Sequence, residues 1–229
     1  MIYFYSVLTL AIFIIGLKTS QKLGIHLLNP FLIALSLLIS ILVIFDIPYQ
    51  QYYQGNAPLN NLLGVSVVAL AYPFYEQLPN IRKKWREIVM ILLFSTIITM
   101  LTGVGFALLF GASQEILAAI LPKSVSMPMA IIITNEINGN VAIAAVGVMI
   151  AGLVGAILGF MLLRFAKVRN VMAIGLSMGA ASHALGTGRC LEHSMKAGSY
   201  SSIALVACGV LSSLFAPLLF KLIVAFCYS

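Results

Sequence analysis

Two long runs of this chain, residues 88–110 and 141–163, contain no charged side chain at all. Each is longer than the ~20 residues that a helix needs to cross the hydrocarbon core of a bilayer. Composition agrees: 62% of residues are hydrophobic, 8% are charged and the mean hydropathy is +1.09. A soluble domain carries about 25% charged residues. The expected class is therefore an all-α polytopic membrane protein.

The net charge of +7 does not point to nucleic acid. Lys18, Lys22, Arg82, Lys83, Lys84, Arg86, Arg164, Lys167 and Arg169 fall in short loops between apolar runs. That is the bias of cytoplasmic loops, so the charge reports orientation. Cys190, Cys208 and Cys227 form neither a disulfide framework nor a zinc spacing and read as small buried hydrophobes. Cys190-Leu-Glu-His193 is too small a set for a metal, and no cofactor is implied. Met1-Ile-Tyr-Phe-Tyr5 lacks a basic n-region and a cleavage site, so it reads as a retained first span.

One transmembrane domain is expected over residues 1–229, with peripheral spans in 1–87, a span and broken hairpin in 88–135, an inverted span and hairpin in 141–195, and a last span in 201–226. Within the first part, residues 3–17 make a short span that extends towards Leu23 while Lys18 and Lys22 snorkel to the interface. A second span enters at Asn29-Pro30, where proline costs no hydrogen bond. Residues 46–61, with Tyr49, Tyr52 and Tyr53 and no basic group, read as an external interfacial loop. A third span kinks at Tyr72-Pro73. Arg82-Lys-Lys-Trp-Arg86 then marks the cytoplasmic side, with Trp85 as an anchor.

Charge parity constrains the rest. A span leaving the inside at Arg86 ends outside, yet the span at 141–163 must end inside at Arg164, Lys167 and Arg169. Both hold if residues 116–133 enter from outside and return there, as a hairpin with its tip at Pro122 to Pro128. Residues 171–193 become a hairpin from the cytoplasm by the same rule, with Lys196 back at that face. The alternative lets both broken stretches cross fully with unwound centres. The expectation is about six full helices plus two discontinuous segments, re-entrant or broken, arranged as an inverted repeat, a transporter signature. Gly147, Ala151, Gly152, Gly155, Ala156 and Gly159 give the fifth span a small-residue packing face, and Gly103 and Gly105 do less of the same in the fourth.

The broken stretches hold the chemistry. Met178-Gly-Ala-Ala-Ser-His-Ala-Leu-Gly-Thr-Gly-Arg-Cys-Leu-Glu192 and Leu121-Pro-Lys-Ser-Val-Ser-Met-Pro128 place ionisable groups among apolar segments, where such groups are costly and mark function by default. Arg189 offers a planar fork to a carboxylate, or else an ion pair to Glu192 three residues on. His183 is a candidate for proton coupling, or a neutral imidazole bonded to Ser182, Thr187 or a carbonyl. Gly186, Thr187 and Gly188 expose backbone groups that bind anions. Lys123 with Ser124, Ser126 and Pro128 forms the second half of an anion site, or Lys123 snorkels to an interface. Asn135, Glu136 and Asn138 mark the outer mouth, with Glu136 a weaker proton or gating candidate. Neither Gly-x-Ser-x-Gly, His-Glu-x-x-His nor a phosphate loop occurs, so neither an enzyme nor direct ATP-driven transport is expected.

With these residues in view, the chain resembles the LrgB/CidB family of bacterial membrane proteins, over nearly its whole length. The motifs that carry the resemblance are Leu121-Pro-Lys-Ser-Val-Ser-Met-Pro-Met-Ala130 and Ala181-Ser-His-Ala-Leu-Gly-Thr-Gly-Arg-Cys-Leu-Glu192. Leu28-Asn-Pro30, Ile47-Pro-Tyr-Gln-Gln-Tyr52 and Ala69-Leu-Ala-Tyr-Pro-Phe-Tyr75 also match. Ser126 and Met127 stand where the family usually has threonines, which bears on substrate identity. Ala184 to Arg189 replaces Gly-Ile-Gly-Thr-Ala-Arg, small for small.

The resemblance implies a multi-pass protein of the bacterial inner membrane and two functions of different class. One is an alternating-access carrier of small monocarboxylates of the pyruvate, glycolate or glycerate type, with His183 as the candidate for proton coupling. In it Arg189 clamps the carboxylate, Lys123 adds positive charge, and Ser124, Ser126 and Thr187 donate hydrogen bonds. The other is a holin- or antiholin-like regulator of murein hydrolases that acts with a small LrgA/CidA-type partner. The lipid bilayer, a small organic anion and a second copy of the chain, as a homodimer, complete the expected partners. A holin gives no reason for Lys123, His183 and Arg189 to sit in broken apolar segments, so the carrier is the main expectation.

Overall fold

The computed structural model describes residues 3–23, 30–69, 71–76 and 78–228. Asn29 and the Leu28-Asn29 part of its motif lie outside these. Among the described residues every regular element is a helix, as expected of an all-α membrane protein. The chain divides into two compact units, Met1–Ser66 and Val67–Ser229.

The first unit holds α1 (Phe4–Leu23), α2 (Pro30–Ile44), α3 (Tyr49–Gly55) and the beginning of α4 (Ala57–Ala69). α1 extends to Leu23, so the short apolar run does recruit the residues after it. Gly16 lets α2 come close: a Cβ there would lie 2.7 Å from the Pro30 carbonyl oxygen. Residues 46–61, expected as a loop, are largely helical. Their helicity has a tertiary cause, since polar α3 is docked on α1. Tyr52 stacks edge-on against Tyr5 at 5.8 Å, and its hydroxyl lies 2.9 Å from Thr9 Oγ1. Asn56 Nδ2 also donates to that oxygen, at 3.1 Å.

The second unit contains the remainder of α4, short α5 (Ala71–Glu76) and α6 (Leu78–Lys83), and then the elements that build the site. These are α7 (Trp85–Leu109), α8 (Gln114–Ile120), α9 (Met127–Glu136), α10 (Val141–Phe165), α11 (Val171–His193) and α12 (Met195–Cys227). Among the described residues α1, α7, α10 and α12 are long and apolar enough to cross a membrane, and α2 is a shorter apolar helix. The last span begins before residue 201, because extended Ser194 is enough to break the chain and restart it. Its Oγ accepts from the Ala197 N–H at 3.5 Å.

Three apolar clusters hold this unit together. Met100, Val104, Leu117, Leu121, Val125, Ile133, Val148 and Ala216 join α7, α8, α9, α10 and α12. Ile88, Leu92, Leu176, Ala180, Ile203 and Ala204 join α7, α11 and α12. Met178, Cys190 and Ala197 meet in a third.

Candidate functional site

Helix α10 is the spine of the site, and two hairpins lean on it from opposite ends. The first is α8–α9. Its open end is beside the C-terminus of α7 and the N-terminus of α10, where Asn140 Nδ2 donates to Glu115 Oε1 at 3.0 Å. A Cβ on Gly139 would lie 2.8 Å from Ala118 Cβ, so the two arms run side by side. The turn reaches inward as far as Gly103 of α7, where a Cβ would lie 2.7 Å from Lys123 Cε, and Gly147 of α10, where it would lie 3.8 Å from Lys123 Cβ. Proline fixes this shape at both shoulders. Pro122 is fully buried in the turn, and Pro128 sits in the first turn of α9, where no N–H is needed.

The second hairpin is α11 itself. His183, at φ 41° and ψ −131°, interrupts the helix, and the chain doubles back there. A Cβ on Gly186 would meet the Met178 carbonyl oxygen at 2.7 Å, and Met178 packs against Cys190. A straight helix separates residues 178 and 190 by about 18 Å at 1.5 Å per residue. The register on α10 shows the same reversal. Met178 lies against Gly159, Ser182 against Gly155, and His183 and Leu185 against Gly152. The returning arm descends again, with Arg189 at Ala156 and the His193 ring 4.8 Å from that of Phe160. This hairpin therefore opens at the C-terminal end of α10, opposite to the first.

The two turns lie against Gly147 and Gly152, about 7 Å apart along the spine at the helical rise. Between them stands Val148. Its side chain is wholly buried in the cluster holding Leu121 and Val125 of the first turn. Its carbonyl oxygen accepts from His183 Nε2 at 2.9 Å. Because a carbonyl only accepts, Nε2 carries the proton, and Nδ1 of a neutral ring is left as an acceptor.

The break at His183 frees a carbonyl that the neighbourhood satisfies. Thr187 Oγ1 donates to His183 O at 2.8 Å. That uses the one Thr187 hydroxyl hydrogen, so Ser201 Oγ must be the donor in their 2.9 Å contact. Ser182, His183, Thr187 and Ser201 are all buried.

Lys123 is in a different position. Its ammonium donates to Ser124 Oγ at 3.2 Å, and no carboxylate lies within ion-pair distance of it among the described residues. Ser124 and Ser126 are buried, and Ser126 Oγ has no hydrogen-bond partner. The first turn thus holds a half-buried cation with no carboxylate partner, and a buried hydroxyl with no hydrogen-bond partner, among the described residues.

Arg189 does not join this group. Its guanidinium pairs with Glu192, and its Nε donates to the Ala156 carbonyl at 3.4 Å. Ala156 lies nine residues beyond Gly147, about 13 Å along α10. Glu192 is largely exposed and Gly188 is open. Glu136 is exposed at the end of α9, at the mouth of the first hairpin. The first turn holds Lys123, Ser124, Ser126 and Pro128, and the second holds Ser182, His183, Gly186 and Thr187, with Val148 touching both, while Arg189, Glu192 and Glu136 stand apart. Val148 and Ser201 complete the site and had no signal in the sequence, one acting through a backbone carbonyl and the other lying within a serine-rich helix start.

Comparison with known proteins identifies the family. The family model described as LrgB-like matches residues 9–222. The chain belongs to the LrgB-like family. A Haemophilus influenzae protein described as uncharacterized is 47% identical over 98% of this chain and 97% of its own length. YxaC of Bacillus subtilis, also uncharacterized, is 38% identical over 92% of each chain. The holin-like protein CidB of Staphylococcus aureus is 36% identical over 94% of each. No solved structure matches the chain. This LrgB-like chain is a multi-pass protein of the bacterial membrane.

Proposed function

We propose that this LrgB-family protein carries a small organic anion across the membrane by alternating access, with Lys123 as its principal substrate-binding charge. The observation that carries the proposal is the Lys123 ammonium, with no carboxylate partner among the described residues, in the same turn as the unpartnered Ser126 hydroxyl. A cation at this depth is expensive unless something neutralises it. A small monocarboxylate of the pyruvate, glycolate or glycerate type supplies one negative charge and accepts hydrogen bonds from both groups. Hairpins from opposite ends of one helix give the site two gates, as in carriers built from discontinuous helices. Arg189 joins as a clamp when the Glu192 pair opens, and His183, with Nδ1 unprotonated, is the group for proton coupling.

Uptake of labelled pyruvate and glycolate into proteoliposomes is the test. The expected result is saturable uptake that Lys123→Met abolishes and Lys123→Arg partly keeps. Uptake by Lys123→Met at the rate of the unaltered protein would remove the carrier reading.

A second reading has its own support, because the staphylococcal relatives are named holin-like. In that reading the protein regulates murein hydrolase activity and autolysis, acting with a small LrgA/CidA-type membrane protein. Lys123→Met then leaves the effect on lysis intact, whereas deletion of α12 abolishes it.

A further inference from the structure

A cavity of about 310 Å³ opens at the end of the second unit opposite the mouth of the first hairpin, lined by Lys84, Asn170, Val171, Met172, Lys196 and Tyr200. It sits where α7, α11 and α12 begin, at the open end of the second hairpin, and its lining includes neither Lys123 nor any other residue of the first turn. Three features define what it can hold. Two lysines face it from different helices. Lys196 has no ion-pair partner among the described residues, and Lys84 has only the solvent-exposed Glu87 at 3.6 Å, a pairing of the kind worth about 0–1 kcal/mol. Asn170 caps α11 by accepting from Met172 N–H at 2.9 Å and Ala173 N–H at 3.3 Å, so the positive end of that helix adds to the lysines. The remaining wall, Val171, Met172 and Tyr200, is apolar or aromatic.

We propose that this cavity binds a phosphate group, with Lys84 and Lys196 as its ligands and Val171, Met172 and Tyr200 beside whatever the phosphate is attached to. An anionic phospholipid headgroup meets the whole description. Trp85 next door is half exposed, with the Arg86 guanidinium 5.5 Å from its ring centre, the pairing that settles at a headgroup layer. Free inorganic phosphate satisfies only the lysines.

The test uses the full chain in phosphatidylcholine nanodiscs, with phosphatidylglycerol and inorganic phosphate as separate probes. Retained lipid is read by native mass spectrometry and phosphate by a thermal shift. The double substitution Lys84→Gln/Lys196→Gln is expected to weaken phosphatidylglycerol retention by about tenfold or more. The charge-matched Arg82→Gln/Lys83→Gln, at two exposed residues that do not line the cavity, is expected to retain the lipid within about twofold of the unaltered chain. Loss of both probes in the first variant identifies the phosphate itself as sufficient, and loss of the lipid alone identifies a headgroup site. Equal binding of both probes by the first variant and the unaltered protein would overturn the proposal. So would an equal loss in the charge-matched variant. Melting of all three proteins at the same temperature in phosphatidylcholine alone establishes that folding is unchanged.

Discussion

His183 Nε2 donates to the Val148 carbonyl oxygen at 2.9 Å, and this bond ties the turn of one hairpin to the helix that backs the other. Val148 packs its side chain against Leu121 and Val125 of the first turn while its carbonyl holds the second. A slide of the second hairpin along α10 breaks this contact, so in the proposed carrier cycle it would act as the latch between the two hairpins.

The first prediction concerns the backbone at this latch. The φ of 41° with ψ of −131° is a region essentially reserved for glycine. His183→Ala keeps the strain and loses the bond, whereas His183→Gly loses the bond and relieves the strain. The alanine variant is expected to be less stable than the glycine variant by about 1–3 kcal/mol, measured by unfolding in detergent. Equal stabilities would show that the tight turn costs nothing.

The small-residue face of α10 and its counterpart on α11 give a second prediction. A methyl at residue 155 would overlap Ser182, and one at residue 179 would overlap the Ser201 carbonyl. Gly155→Ala and Gly179→Ala are each expected to destabilise the protein by about 1–3 kcal/mol. Gly105→Ala meets nothing within 4 Å and is expected to be neutral or slightly stabilising. Thermal melting of the three variants checks the order.

How much of this was legible before the structure depends on the element. The long spans were, because uncharged runs of that length have one use in a bilayer. Charge parity pointed to a reversal at both hairpins, since a return lets Arg86 and Arg164 share a side, but it left open a full crossing with unwound centres. The place of Arg189 was not. Its spacing to Glu192 fits an ion pair, and its guanidinium fits a substrate equally well, so only coordinates show which contact is made. Nor was Val148, because an ordinary valine carries no mark that its carbonyl is an acceptor. Helix α3 was missed since its sequence has no apolar stripe, and the contacts from Tyr5 and Thr9 that hold it are distant in sequence.

The Arg189–Glu192 pair yields a third prediction. Glu192 is 65% exposed and the arginine side chain 31%, so the pair contributes little to stability, about 0.2–1 kcal/mol. Glu192→Gln should leave the melting temperature nearly unchanged. If Arg189 serves the anion in the working cycle, freeing it lowers the KM for uptake. A KM that rises would assign the pair to an essential closed state.

The fourth prediction is topological. Ser113, at the mouth of the first hairpin, and Lys167, beyond α10, lie at opposite ends of the bundle. In a background with the exposed Cys227 replaced by serine, Ser113→Cys is expected to react with an impermeant maleimide added outside. Lys167→Cys is expected to react only after the membrane is opened. Labelling of both from one side would contradict the paired-hairpin arrangement.

The most direct measurement of the central claim is anion binding to the purified protein, read as a thermal shift with pyruvate or glycolate. At about 100 times Kd a ligand that binds only the folded state adds about 2.7 kcal/mol. The account predicts an upward shift of several degrees for the unaltered protein and none for Lys123→Met. An equal shift in both would show that the unpaired ammonium is not where the anion sits, and would contradict the account.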